Sequence, residues 1–214
     1  MTENKIILKT ASSKSFYNIS KRLFDFLFAV IAIIALSPFL FVIGLLVKIT
    51  SAGPIFYRGE RIGFKGKSFK IFKFRSMFLG SDKGPGTTSK SDARVTLIGG
   101  FIRKYKLDEL PQLINIIIGD MSFVGPRPEL KRYTDLYNEE EKIILSVRPG
   151  ITDFSSLHFS NLNELIDDKD PDYSFEKYIL PQKNRLRIEY IKKRNFWLDL
   201  ALIFKTITRL AGLK

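Results

Sequence analysis

From Phe26 to Val47 the chain carries no charged side chain, and this run constrains its fold more than any other feature. As a straight helix at about 1.5 Å per residue it would reach roughly 33 Å, enough to cross a hydrocarbon core. The run starts too late, is too long and lacks the small-residue cleavage site for a removed signal peptide. Ser37-Pro38 sits in its middle. Pro38 removes one backbone hydrogen bond and crowds the carbonyl of Ile34, dividing the run into two arms of re-entrant length. Positive charge flanks both ends, Lys21 and Arg22 before it and Lys48, Arg58 and Arg61 after it, so the positive-inside rule gives no direction. A helix that dips in and returns to the same face fits these observations. A kinked crossing fits too, because membrane helices tolerate proline.

The remaining composition narrows the chemistry. A net charge of +13, from 35 Lys+Arg against 22 Asp+Glu, attracts nucleic acid, anionic lipid or phosphorylated small molecules, without choosing among them. Much of it follows the apolar run, as Lys65, Lys67, Lys70, Lys73 and Arg75. With no cysteine there are no disulfides or thiolate metal sites, which fits a reducing compartment. The single histidine, His158, reads as a surface or packing residue, so the usual nucleophile and base are largely missing.

The 214 residues suit one domain with appendages: a loose tail over 1–20, a membrane helix over 21–48 kinked at Ser37-Pro38, and a domain over 49–214. The expected fold class is α+β and predominantly helical. Strand-like runs on either side of Gly63–Gly66 predict a β-hairpin within Pro54–Met77. Residues 80–92 form a polar loop, in which GPGTTSKS lacks the spacing of a phosphate loop. Leu107, Leu110, Ile114 and Ile117 mark a helical stripe ending at Gly119. Glu129–Val147 reads as another helix and Arg148–Thr152 as a turn. Asn184–Leu213 is helical and basic, and its Trp197, Phe204 and Ile207 suit a helix lying in a membrane interface or an amphipathic core helix.

One segment can carry chemistry. RKYKLDELPQLINIIIGDMSFVGPRP, residues 103–128, holds adjacent carboxylates, Asp108 and Glu109, between Arg103 and Arg127. Asp108 stands where a helix N-cap would be and Pro111 in the first turn, so LDELP is also a sound helix start with no function attached. The functional reading adds Gly125-Pro126-Arg127-Pro128, where two prolines fix φ around an arginine whose planar fork suits phosphate. Cations beside Asp108 would depress its pKa and neutralise an approaching diphosphate. A divalent metal at the dyad would help in the same way.

KRLFD (21–25), Ser37-Pro38, FKIFKFRSM (69–77), LDELPQL (107–113), GDMSFVGPRP (119–128), VRPGIT (147–152) and FWLDL (196–200) occur in that order. Together they resemble the bacterial sugar transferase family, the small monotopic polyprenol-phosphate phosphoglycosyl transferases. The resemblance implies that Asp108 is a nucleophile and Glu109 its partner. Asp108 would attack the β-phosphate of a UDP-sugar, release UMP and form a covalent phosphosugar intermediate for transfer to undecaprenyl phosphate. It implies Mg²⁺ near Asp108 and Glu109, and substrate-binding roles for Lys73, Arg103, Arg127 and Asp199. It also implies a re-entrant helix broken at Ser37-Pro38 and anchored by Lys21 and Arg22, with 49–214 as a cytoplasmic catalytic domain carrying an interfacial C-terminal helix. The implied location is the cytoplasmic face of the bacterial inner membrane, where the enzyme starts a surface glycan among membrane lipid. Nucleic acid is not an expected partner, and self-association is left open.

The chain departs from the family after VRPGIT, where Asp153-Phe-Ser-Ser-Leu-His-Phe-Ser-Asn161 replaces a segment with a downstream Asn-Gly-Arg. Two readings from other classes compete. A non-catalytic membrane-tethered scaffold would use its charge only on lipid. A nucleic-acid binder lacks a recognisable groove-reading or stacking motif.

Overall fold

The computed structural model describes residues 2–81, 84, 86–88, 92–167 and 169–212, with side chains from Tyr17 onward, Asn163 aside. It is predominantly helical with short strands. α1 spans Thr2–Thr50, so helix occupies the stretch read as a loose tail. Neither glycine nor proline interrupts it before Pro38, and Gly53 follows its end with φ +123°. α1 continues through Pro38, where the Ser37 hydroxyl donates to the Ile34 carbonyl at 2.8 Å and satisfies the acceptor that proline leaves without a partner. Tyr17–Thr50 is long and apolar enough to cross a membrane, and only 17% of its most apolar stretch is buried.

The predicted hairpin is present. β2 (Glu60–Ile62) pairs antiparallel with β3 (Ser68–Lys70), and the ribbon continues as β1 (Phe56–Tyr57) against β4 (Lys73–Phe74). Next come α2 (Leu97–Lys104), a 3₁₀ turn Leu107–Glu109, and α3 (Gln112–Ile118), which ends at Gly119 with φ +98°. Of the loop over 80–92, residues 82, 83, 85 and 89–91 lie outside the described residues.

Two further expectations fail in the middle of the chain. Glu129–Val147 is not one helix but a short α4 (Lys131–Thr134) and a 3₁₀ run Glu141–Ser146. Asn138 accepts from the Glu141 amide at 2.9 Å while the Glu141 side chain accepts from the Asn138 amide at 3.0 Å. That reciprocal cap starts a new element where a helix would have continued. The stretch read as a turn contains β6 (Gly150–Thr152), parallel to β5 (Ser122–Val124).

The chain finishes with α5 (Phe154–His158), α6 (Pro171–Ser174), a π turn over Phe175–Ile179, α7 (Leu180–Lys193) and α8 (Phe196–Leu210). The predicted C-terminal helix is therefore two, split where Asn195 accepts from the Leu198 amide at 3.0 Å and caps α8. α1 packs on the rest of the chain along both arms. Ala29, Ile33 and Leu36 meet Ile71, Leu113, Ile116 and Met121, and beyond Pro38, Leu40, Ile43 and Val47 meet Phe74 and Ile102. A separate core joins α4 to α7 through Tyr133, Tyr137, Phe175 and Ile188.

Candidate active site

Asn115 sets the position of the dyad. Within α3 its side chain accepts from the Phe72 amide at 2.8 Å and donates to the Lys70 carbonyl at 3.0 Å, fixing α3 against the ribbon. Lys73 is thereby brought to Glu109, at 3.1 Å. On the far side of α3, Arg22 donates to the carbonyls of Ile116 and Ile117 at 2.6 and 3.0 Å, and Arg148 to Gly119 at 2.9 Å. Cations thus close the negative end of the helix whose other end follows the dyad.

Arg127 arrives from the opposite direction. β5 and β6 lie so close that a Cβ on Gly125 would stand 2.4 Å from the Arg148 carbonyl oxygen, and one on Gly150 would stand 2.1 Å from the Gly125 nitrogen. Only two glycines permit that contact, and Pro126 and Pro128 then fix the backbone on either side of the arginine. Arg127 donates through both terminal nitrogens to the two oxygens of Glu109, at 2.8 Å for the Nη1–Oε2 bond. Behind this turn Glu129 is gripped by Arg187 and by Lys183, the latter at 3.2 Å.

The two carboxylates end in different states. Burial raises the Glu109 carboxyl, but Arg127 and Lys73 outweigh it and hold that group well below the usual carboxylate range. Asp108 is pushed up, first by burial and also by the charge of Glu109, against the pull of Lys73, Arg103 and Lys106. The expectation that neighbouring cations depress Asp108 is therefore reversed, because burial outweighs them and the hydrogen bonds of Lys73 and Arg127 go to Glu109. Among the described residues no donor bonds to the Asp108 carboxylate, although the residue is only 6% exposed. Nor does Asp108 cap a helix: it lies within the 3₁₀ turn, preceded by Lys106 at a left-handed φ of 56°. Burial also pushes the Lys73 ammonium down, against the pull of Glu109.

Arg103 is less committed than Arg127, with one long bond of 3.4 Å to the Ser76 hydroxyl. Asp199, expected with the substrate-binding groups, joins elements. It accepts from Tyr17 and Lys21 of α1 at 2.7 Å each and from Tyr190 at 2.8 Å. Lys106 and Gln112 went unnoticed in the sequence, and Arg61 was read there only among the charges that follow the apolar run. Lys106 and Arg61 add positive charge at the site, on Asp108 and Lys73 respectively. Gln112 is wholly buried, with both amide atoms unpartnered among the described residues. Lys106 and Gln112 flank LDELP, so proximity to the dyad was the available signal.

The donor set fits magnesium. Among the described residues no group of three or more His, Cys, Asp or Glu side chains is placed to hold a metal ion. Magnesium keeps most of its waters and leans on substrate phosphates with one or two carboxylates. Asp108 offers one, and Glu109 lies beside it with its charge already opposed.

The profile described as bacterial sugar transferase matches residues 16–212, which include every element of this site. The chain belongs to the bacterial sugar transferase family. Exopolysaccharide production protein ExoY of Sinorhizobium fredii is 38% identical over 216 residues, covering 93% of this chain and 88% of that protein. A UDP-N-acetylgalactosamine-undecaprenyl-phosphate N-acetylgalactosaminephosphotransferase of Aeromonas hydrophila is 37% identical over 199 residues, 89% of this chain and 43% of its own. The UDP-glucose:undecaprenyl-phosphate glucose-1-phosphate transferase of Escherichia coli is 36% identical over 191 residues, 87% and 39% respectively. This bacterial sugar transferase therefore spans most of ExoY and less than half of the other two.

Proposed function

We propose that this chain transfers a phosphosugar from a UDP-sugar to undecaprenyl phosphate, starting a surface glycan. What carries the reading is the division within the dyad: Glu109 is held by Arg127 and Lys73, while Asp108 is left buried, raised in basicity and, among the described residues, without a donor. A more basic carboxylate is the better nucleophile once ionised. An Asp108 oxygen attacks the β-phosphorus, the bond from that phosphorus to the bridging oxygen breaks, and UMP leaves. A phosphate oxygen of the acceptor then attacks the same phosphorus, breaking its bond to Asp108 and restoring the carboxylate.

Phosphoryl transfer depends chiefly on positioning and charge stabilisation. Arg127 keeps donors beyond those spent on Glu109, and among the described residues Arg103 has most of its fork free to orient the diphosphate. Asp108, with Glu109 adjacent, would hold Mg²⁺, which when bound offsets diphosphate charge and polarises the phosphoryl oxygens. Relatives named for glucose and for N-acetylgalactosamine match about equally, which supports UDP-hexoses as the donor class.

Packing of both arms of α1 against one body supports a re-entrant helix, with the catalytic domain on the cytoplasmic face of the inner membrane. Incubating Asp108→Asn in lipid nanodiscs with undecaprenyl phosphate and a UDP-sugar panel, and measuring UMP, tests the mechanism. Release should vanish, and full release by that variant would overturn Asp108 as nucleophile.

A further inference from the structure

Among the described residues β5 has a strand partner, β6, on one edge only, so its other edge takes its partners from side chains. Successive amides of a strand point to opposite edges. Ser122 N–H goes to the Pro149 carbonyl beside β6 at 2.9 Å, which leaves the Phe123 N–H on the open edge. There it donates to Asp25 of α1 at 3.3 Å, across 98 positions of the chain. The Ser122 hydroxyl reaches the same carboxylate as well as the Val124 carbonyl, the latter at 3.0 Å. Asp25 is only 2% exposed. Lys21 stands 4.0 Å from it and sits closer, at 2.7 Å, to Asp199, so the strand amide is the nearer partner. The Val124 carbonyl lies 3.2 Å from the buried Tyr190 hydroxyl, itself 2.8 Å from Asp199. Tyr17, Lys21 and Asp25 recur every four residues and so form one polar stripe of α1 along these contacts. Three residues past Val124 stands Arg127. The link between them is stiff, because Gly125 is wedged against the Arg148 carbonyl and Pro126 and Pro128 fix φ.

We propose that Asp25 and Tyr190 are positioning residues for the transfer reaction: they hold the open edge of β5, and through that strand they fix the arginine that grips Glu109. α1 is thereby a working part of the active site as well as its apolar anchor. That role rests on the transferase reading above. A displaced β5 swings Arg127 off a two-pronged geometry that tolerates little error, and misplacement by about 1 Å costs on the order of 100-fold in rate. The dependence extends to UMP release, a step that needs no lipid acceptor. Asp25 acts here by accepting a hydrogen bond, which an amide oxygen at the same reach also does. Asparagine therefore replaces it, whereas alanine leaves the Phe123 N–H without its partner.

Single-turnover UMP release from UDP-sugar, measured on the full chain in nanodiscs without acceptor, separates positioning from folding. Its amplitude counts intact sites and its rate reports their geometry. Asp25→Ala should keep most of the amplitude and slow the rate roughly 10- to 100-fold, while Asp25→Asn stays within about threefold of the unaltered protein. Tyr190→Phe keeps its ring in the core and loses only the hydroxyl at Val124. It should slow the rate in the same direction, and it decides the matter where the alanine variant gives no amplitude. Lower amplitude at an unchanged rate would make these residues purely structural. An asparagine variant as slow as alanine would show that charge matters and the amide bond does not. Either result overturns the proposal. Hydrogen exchange needs no turnover: the amides of residues 122–125 should lose protection in Asp25→Ala and keep it in Asp25→Asn, and unchanged exchange in the alanine variant would also overturn the proposal. Altered exchange with no UMP release from the unaltered protein would support the hold of α1 on β5 while overturning the transferase reading.

Discussion

Asp108 and Glu109 differ by one methylene and share a turn, yet hydrogen bonding sends them in opposite directions. Arg127 reaches both Glu109 oxygens, a geometry that a lysine ammonium cannot reproduce. Arg127→Lys should keep the fold, as judged by circular dichroism, and lower kcat/KM for UDP-sugar roughly 10- to 100-fold, the loss of one or two charge-assisted bonds. Glu129 supports the same turn from behind. Burial raises its carboxyl, but Lys183 and Arg187 bring it down to about 2 from an ordinary 4.5. A carboxyl depressed in the folded state contributes stability in full above its unfolded value and loses it as pH falls through the folded one. Thermal unfolding should therefore show a declining midpoint between pH 4.5 and about 2. Glu129→Gln should flatten part of that decline and cost about 3–5 kcal/mol near neutrality, because it leaves Arg187 and Lys183 buried without their counter-charge.

Among the elements, α1 carries the largest consequence. Ser37 satisfies the carbonyl freed by Pro38, so the proline need not leave a bare acceptor in lipid. The chain has no native cysteine, which makes labelling unambiguous. Ile19→Cys and Ile49→Cys, both at exposed positions, should react with a membrane-impermeant maleimide from the same side of sealed vesicles. Reaction from opposite sides would refute re-entry. The β-ribbon was legible from alternation around a glycine turn, because strand pairing at short range is a local property. The break between α4 and the 3₁₀ run was not, because helix-compatible residues there are overruled by the Asn138–Glu141 cap.

Across the whole molecule, exposed apolar residues gather on helices outside the buried cores. α1 leaves Phe28 and Ile31 bare, α2 leaves Leu97 93% exposed and Phe101 bare, and α8 leaves Trp197 77% exposed together with Phe204 and Ile207. Bare apolar surface on this scale marks a membrane or partner contact, and the net charge of +13 favours anionic lipid. In vesicle flotation, salt should slow association without removing bound protein, since screening weakens attraction between exposed charges but leaves apolar burial intact. Phe204→Glu with Ile207→Glu should lower the bound fraction at high salt. Release of the unaltered protein by salt alone would show that charge holds it and that the bare helices do not.

The apolar run, the hairpin and the residues of the dyad were determined by the sequence, because each is set by neighbours a few positions away. Tertiary structure alone decided which carboxylate the cations hold. Lys73, Glu109 and Arg127 come from a ribbon, a 3₁₀ turn and a parallel-strand corner, and the contact between Gly125 and Gly150 that aims Arg127 joins residues far apart in the chain. Asp199 shows the same limit, since its ties to Tyr17 and Lys21 cross most of the chain. Electrostatic character depends on distance and burial, and no spacing along a chain fixes either until the elements have packed.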